Sequence, residues 1–230
     1  HPTVEYLENK NLLWRANNGL SRESNAVQYT GYKELDNALQ GGFPEHGVID
    51  VITPIGIGEL RLFIPSLLAK QQQNNTALIT FISPPLSINS EMFAEYGFDL
   101  NNILTVAPNS ASDGLWSAEQ CLKSGSCHSV ILWHNQLSIA QIKRLQIAAE
   151  KGNALLLIMR QSKQEQLSLP VTLGVSLSPA KSGIQAHITK RKGAWPSQPF
   201  TINMQSYWPE LSTAESAKVI NFPSHIHQAG

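Results

Sequence analysis

The chain has 230 residues, 42% of them hydrophobic and 15% charged, with 17 basic side chains against 17 acidic ones. That composition excludes a disordered chain and is ample for one good core, while a net charge of zero leaves only a local patch able to attract nucleic acid. No apolar run approaches the roughly 18 residues that a membrane span needs.

The chain opens with "PTVEYLENKNLLWRA" (2–16), where Val4, Leu7, Leu12 and Leu13 fall at roughly helical spacing behind Pro2. Residues 17–28 are polar and read as a linker. "YTGYKELDNALQGGFPEHG" (29–47) predicts a short helix, Tyr32–Leu39, closed by Gly41 and Gly42. An apolar strand follows at 48–53, then a glycine-containing turn. Leu60, Ile64, Leu67 and Leu68 stripe a helix that starts near Glu59 and kinks at Pro65.

Further buried strands are predicted at 76–83, within 97–108, at 129–134 and at 154–160. Helices between them are predicted at 90–96, 112–125 and 138–152; the second is capped by Ser112 or Asp113, and the third carries Ile139, Ile142, Leu145, Ile147 and Ala148 on one face. Strand–helix alternation argues for an open α/β sheet of parallel strands. From residue 170 the helices stop, and 171–179, 183–193 and 198–204 read as an antiparallel meander. The expected organisation is an N-terminal helix and linker (1–28), a core (29–204) and a mobile tail (205–230). That tail carries Tyr207, Trp208, Leu211, Val219, Ile220 and Phe222, too many large apolar side chains for a pure spacer, and suits partner docking.

Cys121 and Cys127 lie six residues apart with no second pair and no ligand spacing around them, which favours reduced thiols over zinc. The seven histidines are scattered and lack acidic partners at ligating distance in sequence, so no metal is expected. No secretory signal is visible, and a bacterial-type cytoplasmic protein is the expectation.

The turn after the first core strand carries the chemistry. A working phosphate loop has the form G-x-x-x-x-G-K-[ST]: backbone amides hold phosphate at a helix N-terminus, lysine neutralises charge and the hydroxyl binds Mg²⁺. Here the run is "TPIGIGEL". Thr53 stands at the first glycine position, Gly56 and Gly58 remain in the turn, Glu59 takes the lysine position and Leu60 the hydroxyl position. Two like charges 4 Å apart repel by about 4 kcal/mol at an effective dielectric of 20, and losing the lysine's attraction roughly doubles the difference. Glu59 reads either as a carboxylate favoured at a helix N-terminus, with Arg61 on a solvated face, or as part of a protein-binding surface with Arg61.

Over about residues 29–204 the chain resembles the RecA superfamily. The resemblance rests on ordered stretches: "YTGYKELDNALQGGFPEHGVIDVITP", "FDLNNILTVAP", "EQCLKSGSCHSVILW" and "ITKRKGAWPSQPFTI". It implies an α/β, RecA-like P-loop-NTPase-type core: a mainly parallel central sheet, helices on both faces and C-terminal antiparallel strands. It also implies degenerate nucleotide motifs. The metal-holding carboxylate of working members aligns with Trp133, and the water-activating glutamate with Pro85. Together with Glu59 and Leu60, these replacements imply no enzyme activity, no nucleotide cofactor and no metal.

Within that superfamily the runs "GELRLFIPSLLA", "LWSAEQCLKSGSCHSVILWH" and "IKRLQIAAEKGNALLLIMR" resemble the SulA/ImuA family. SulA-like members block cell division after DNA damage by binding FtsZ. ImuA-like members accompany a damage-induced (SOS) mutagenic polymerase module containing a Y-family polymerase homologue, ImuB. The "LLWRA" helix, the complete lead-in at 29–44 and the strands in "SGIQAHITKRKGAWPSQPF" (182–200) favour the ImuA kind, with SulA-type division inhibition as the alternative. The implied partners are proteins: an ImuB-like homologue, RecA itself, or alternatively FtsZ.

Two more candidate surfaces follow. "HITKRKGAWP" gathers Lys190, Arg191 and Lys192 beside Trp195, which reads as a solvated hairpin, a protein interface or a nucleic-acid contact. By the resemblance, Lys190 and Lys192 match lysines that act across a subunit interface. The loops after the fourth and fifth strands, "HNQLS" and "RQSKQEQLSLP", are short and nearly neutral, which argues against direct DNA binding there. Leu12, Leu13 and Trp14 on the first helix suit packing on the chain's own core or on a neighbouring subunit.

Overall fold

The structure, a computed structural model, describes residues 27–161, 169–191 and 194–209. The expected N-terminal helix with Leu12, Leu13 and Trp14, the basic residue Lys192 and the tail beyond 209 lie outside the described residues.

A two-residue strand β1 (Val27–Gln28) pairs antiparallel with β2 (Phe43–Pro44), and helix α1 (Lys33–Leu39) lies between them. Then come β3 (Gly47–Ile52), a 3₁₀ turn (Glu59–Leu62), α2 (Ile64–Gln73), β4 (Leu78–Ile82) and α3 (Ser90–Glu95). A second 3₁₀ turn leads into β5 (Ile103–Val106), followed by α4 (Ala111–Lys123), β6 (Cys127–Trp133), α5 (Ile139–Lys151) and β7 (Leu155–Arg160). The chain then runs through β8 (Leu173–Ala180), β9 (Gly183–Arg191) and β10 (Phe200–Asn203).

The main sheet has eight strands in the order β10-β9-β8-β3-β7-β6-β4-β5. Neighbours from β8 to β5 pair in parallel; β8–β9 and β9–β10 are antiparallel. The meander read from 171 onward therefore starts one strand later than expected, because its first strand adds in parallel to β3. Side chains on a strand alternate between faces, and the buried residues divide accordingly. Ile49, Val51, Ile79, Phe81 and Leu157 meet α1, α2 and α3 on one face. Val48, Val130, Leu132, Leu156 and Ile158 meet α4 and α5 on the other.

Local chemistry sets the helix ends. Ser110, two residues ahead of the expected cap, accepts from the Asp113 amide at 3.1 Å and starts α4. Ser138 and Gln141 form a reciprocal capping box at the start of α5. Pro65 marks the true start of α2 rather than a bend inside a longer helix.

The C-terminal boundary differs from the sequence expectation. The core does not stop at 204: Met204 is buried and Trp208, expected in a mobile tail, is only 4% exposed. The Trp208 ring packs on Tyr96 with centroids 4.5 Å apart, and its Nε1 donates to the Tyr32 hydroxyl at 2.9 Å. Burying an indole with its N–H paired holds residues 204–208 against the first face.

At the opposite, N-terminal end of the strands, burial holds His128 at a pKa of about 4, with the Lys70 charge acting the same way. An unfolded histidine titrates near 6.5, so between these values the unfolded chain binds the extra proton. Stability from this group is full above about pH 6.5 and is lost as pH falls toward 4. After allowance for solvent screening the loss is about 1–2 kcal/mol. Urea unfolding at stepped pH checks this: His128→Gln should flatten that part of the profile, and an unchanged slope would reassign the titration to another group.

Candidate functional site

The carboxyl ends of parallel strands are where an open α/β sheet places its ligand crevice. Here the segments leaving β3, β4, β5, β6 and β7 surround a cavity of about 620 Å³. Thr53, Glu59, Pro85 and Trp133, four positions singled out from sequence, line it together. Gly56, Gly58 and Leu60 belong to the adjoining turn, with Leu60 half-buried against the first core face.

The turn is closed by its own arginine. Gly56 and Gly58 take left-handed φ angles of 85° and 81°. The Arg61 side chain folds back over Gly58: Nη2 donates to the Ile57 carbonyl at 3.1 Å and Nε reaches the Gly58 carbonyl at 3.4 Å. A Cβ on Gly58 would lie 2.1 Å from Arg61 Nη2, so glycine here makes room for a cation. The guanidinium carbon also sits 5.8 Å from the Trp208 ring centre. Arg61 is half-buried and committed to its own turn, and Glu59 is only 7% exposed. The expectation that Arg61 lies on a solvated face is corrected accordingly.

The helix after the turn is also displaced. Arg61 N bonds the Gly58 carbonyl and Phe63 N the Leu60 carbonyl, the i→i+3 pattern of a 3₁₀ helix, before α2 begins at Ile64. In an uninterrupted α-helix the residue at 65 would donate to the Arg61 carbonyl, but Pro65 has no N–H. The Tyr32 hydroxyl donates to that carbonyl instead, at 2.9 Å. Tyr32 thus joins Arg61 to Trp208, and burial raises its own pKa to about 12. The α-helical dipole begins several residues away from the turn that would otherwise use it.

Sequence reading missed the cavity floor. Arg160, at the end of β7, pairs bidentately with Asp50 in β3: Nε to Oδ1 at 2.6 Å and Nη2 to Oδ2 at 2.7 Å. Both are buried, Arg160 to 3% exposure, and Arg160 Nη1 has no partner among the described residues. The signal was available, since Asp50 interrupts the apolar run "VIDVI" and Arg160 ends "LLLIMR". Trp133 Nε1 and both ring nitrogens of His134 likewise lack partners within hydrogen-bond geometry. Burial lowers the His134 pKa, opposed by the nearby Ala111 carbonyl. Ser83 closes β4 with a left-handed φ of 54°, held by its N–H on the Val106 carbonyl at 3.0 Å.

The basic cluster on β9 does not line this cavity. Lys190 Nζ donates to the Leu169 carbonyl and Arg191 Nη1 to the Ala38 carbonyl at 3.3 Å, so both charges are half-buried on their own chain. Trp195, 91% exposed, is the described member of that cluster that presents itself to solvent. Among the described residues no group of three His, Cys, Asp or Glu could hold a metal ion, and no helix is long and apolar enough to cross a membrane. Both cysteines are free thiols, Cys127 buried and Cys121 half-buried.

Tyr32→Phe tests the closure. It keeps the ring and strands two buried partners, the Arg61 carbonyl and Trp208 Nε1. The expected loss is about 2–4 kcal/mol in urea unfolding, the cost of leaving two buried groups unsatisfied. A loss below about 0.5 kcal/mol would mean that the hydroxyl does not hold the turn.

Comparison with known proteins agrees with this architecture. RecA from Acholeplasma laidlawii is 26% identical over 130 residues, 56% of this chain and 38% of that protein. RecA from Crocosphaera subtropica is 26% identical over 124 residues, 54% of this chain and 34% of that protein. The match thus spans little more than a third of the length of these curated relatives. The crystal structure of SulA from Pseudomonas aeruginosa shares 28% identity at a TM-score of 0.42, over 50% of this chain and 98% of that one. No protein-family model matches. With its mostly parallel sheet and the antiparallel strands that complete it, the chain has a RecA-like fold and is similar in sequence to RecA.

Proposed function

We propose that this RecA-related chain is a non-catalytic protein-interaction module of the bacterial DNA-damage response, an ImuA-type accessory to error-prone translesion synthesis in the cytoplasm. One observation carries the reading: the turn that would cradle phosphates is filled by Arg61, which bonds the Ile57 and Gly58 carbonyls, while Glu59 occupies the lysine position. A phosphate loop needs amides facing its anion and a helix starting at once. This turn has its carbonyls on a cation and a 3₁₀ segment before α2. Phosphoryl transfer also needs a metal-holding carboxylate and a water-positioning group. Trp133 and Pro85 stand at those positions and supply neither.

The ImuA kind is favoured over the SulA kind because the lead-in segment and the last strands are structural members of the core. Tyr32 and Leu35 pack with Ile184, Ile202 and Trp208 in one cluster. Resemblance of the turn and α2 region to SulA-like chains supports the second reading, a division inhibitor that binds FtsZ. Direct DNA binding is not part of either, since Lys190 and Arg191 are engaged within the chain.

Co-purification separates the two. The full chain, tagged and expressed with the Y-family polymerase homologue or with FtsZ from the same genome, is expected to retain the polymerase homologue. Retention of FtsZ alone would transfer the role to division control. Calorimetric titration with Mg·ATP is expected to show no binding, and micromolar affinity would overturn the non-catalytic reading.

A further inference from the structure

The two cysteines are free thiols set at either side of one tight reversal. Cys121 lies in the last turn of α4 and Cys127 opens β6. Ser124 holds the reversal: its Oγ donates to the Cys121 carbonyl at 2.8 Å and accepts from the Ser126 amide at 3.1 Å. Gly125 completes it with a left-handed φ of 70°. The thiols meet on the second face of the sheet. They interact directly, and both reach the buried Thr80 hydroxyl, whose Oγ is 3.4 Å from Cys127 Sγ. Cys127 also lines a second cavity, of about 460 Å³, at the N-terminal end of the strands. Cys121 is half-buried, so the pair sits at the edge of the apolar core and not at its centre.

Three uses are open to such a pair. A metal would need more ligands, and among the described residues no third His, Cys, Asp or Glu completes a site. A catalytic thiol would need a base to take its proton. The neighbouring imidazole does not serve: His128 Nδ1 pairs with Ser129 Oγ at 2.8 Å and its Nε2 meets no partner among the described residues. The two sulfurs act on each other instead. Hydrogen bonding from Cys121 lowers the Cys127 thiol below its ordinary range against the pull of burial, with Thr80 and Ser124 acting the same way as Cys121. The same contact, with burial added, raises Cys121. One proton is thus held between two sulfurs, with the charge on Cys127. A thiolate is the form that attacks a peroxide, and a thiol beside it is the group that resolves the product.

We propose that Cys121 and Cys127 form a reversible dithiol–disulfide site, oxidised by hydrogen peroxide and reduced by a small dithiol. The Cys127 thiolate attacks one peroxide oxygen and the O–O bond breaks. The departing hydroxide takes up the proton that Cys127 gave up on ionising and leaves as water. The Cys121 sulfur then attacks the Cys127 sulfenic acid: the S–S bond forms, the S–O bond breaks, and hydroxide leaves with the Cys121 proton as a second water. Two thiols lose two electrons and two protons, and the peroxide gains them. The bond ties the end of α4 to the start of β6. In reducing compartments disulfides are transient and serve redox sensing, which suits a pair of this kind. The inference goes beyond the proposed function, since no residue of the strand-end cavity takes part in it.

The test uses the full chain, reduced and then exposed to hydrogen peroxide. Remaining thiols are blocked with N-ethylmaleimide in urea and counted by intact mass and peptide mapping. The folded chain is expected to lose both blocking sites together, to yield a linked Cys121–Cys127 peptide, and to regain both thiols with dithiothreitol. It should do so faster than the same chain unfolded in urea. Cys121→Ser should stop the reaction at a Cys127 sulfenic acid, which dimedone captures. Cys127→Ser should slow peroxide oxidation about tenfold or more, because the remaining thiol keeps its proton. Thiols that stay blockable in the folded chain while the unfolded chain oxidises overturn the assignment. A bond formed no faster in the folded chain, a single oxidised cysteine in the wild type, or a link between two copies overturns it as well.

Discussion

A guanidinium bonded to the carbonyls of its own turn is the constraint on which the site depends. A short glycine turn has one set of amides and one set of carbonyls, and it cannot offer both inward. Arg61 settles the choice at Ile57 and Gly58 in favour of the carbonyls. Gly58 has a left-handed φ that favours glycine, and its missing side chain leaves the space the cation occupies. Glycine at this position thus meets a side chain of its own turn and not a phosphate. Burial of Glu59 beside this turn places a carboxylate where a triphosphate would need the opposite sign.

The arginine stays in place because a proline frees its carbonyl. Pro65 removes the amide that would otherwise bond Arg61 O, and Tyr32 fills the gap. The same hydroxyl accepts from Trp208, whose ring faces the guanidinium. Three stretches far apart in sequence, the lead-in near 32, the turn near 61 and the segment near 208, are thereby one packed unit. Such chains of buried hydrogen bonds strengthen one another and are costly to leave half satisfied. Gly31 belongs to the same fit: a Cβ there would come within 2.7 Å of Pro65.

Much of the fold was legible because parallel strands buried on both faces are written as apolar runs. "SVILW" and "ALLLIM" leave little choice of element, and Ser138 with Gln141 marks a helix start as clearly as sequence can. The sheet order is a different matter. Pairing of β8 with β3 in parallel is decided across more than a hundred residues of chain, and its alternation looks the same in either direction. The site was legible as a set of substitutions: Thr53, Glu59, Pro85 and Trp133 do converge. Its geometry was not, because a charge in sequence carries no label saying what it will meet. Arg61, Lys190 and Arg191 all read as surface charges, and each turns to a backbone carbonyl of its own chain. Trp208 read as tail because the apolar side chains from 207 onward follow no strong helical or strand period.

The Asp50–Arg160 pair sets the floor of the cavity. Placing two charges in the middle of a sheet carries a desolvation cost that a bidentate contact offsets, with no clear surplus over a well-packed hydrophobic pair. Stability alone therefore does not account for an ion pair joining β3 to β7. The pair does fix the cavity floor, because Nε and Nη2 are both held by Asp50 and the planar guanidinium cannot turn. Arg160 at the end of β7 is thereby tied to β3, between Trp133 at the end of β6 and the turn that carries Glu59. Removing Asp50 or Arg160 alone would leave a buried charge unpaired, which costs more than the pair returns.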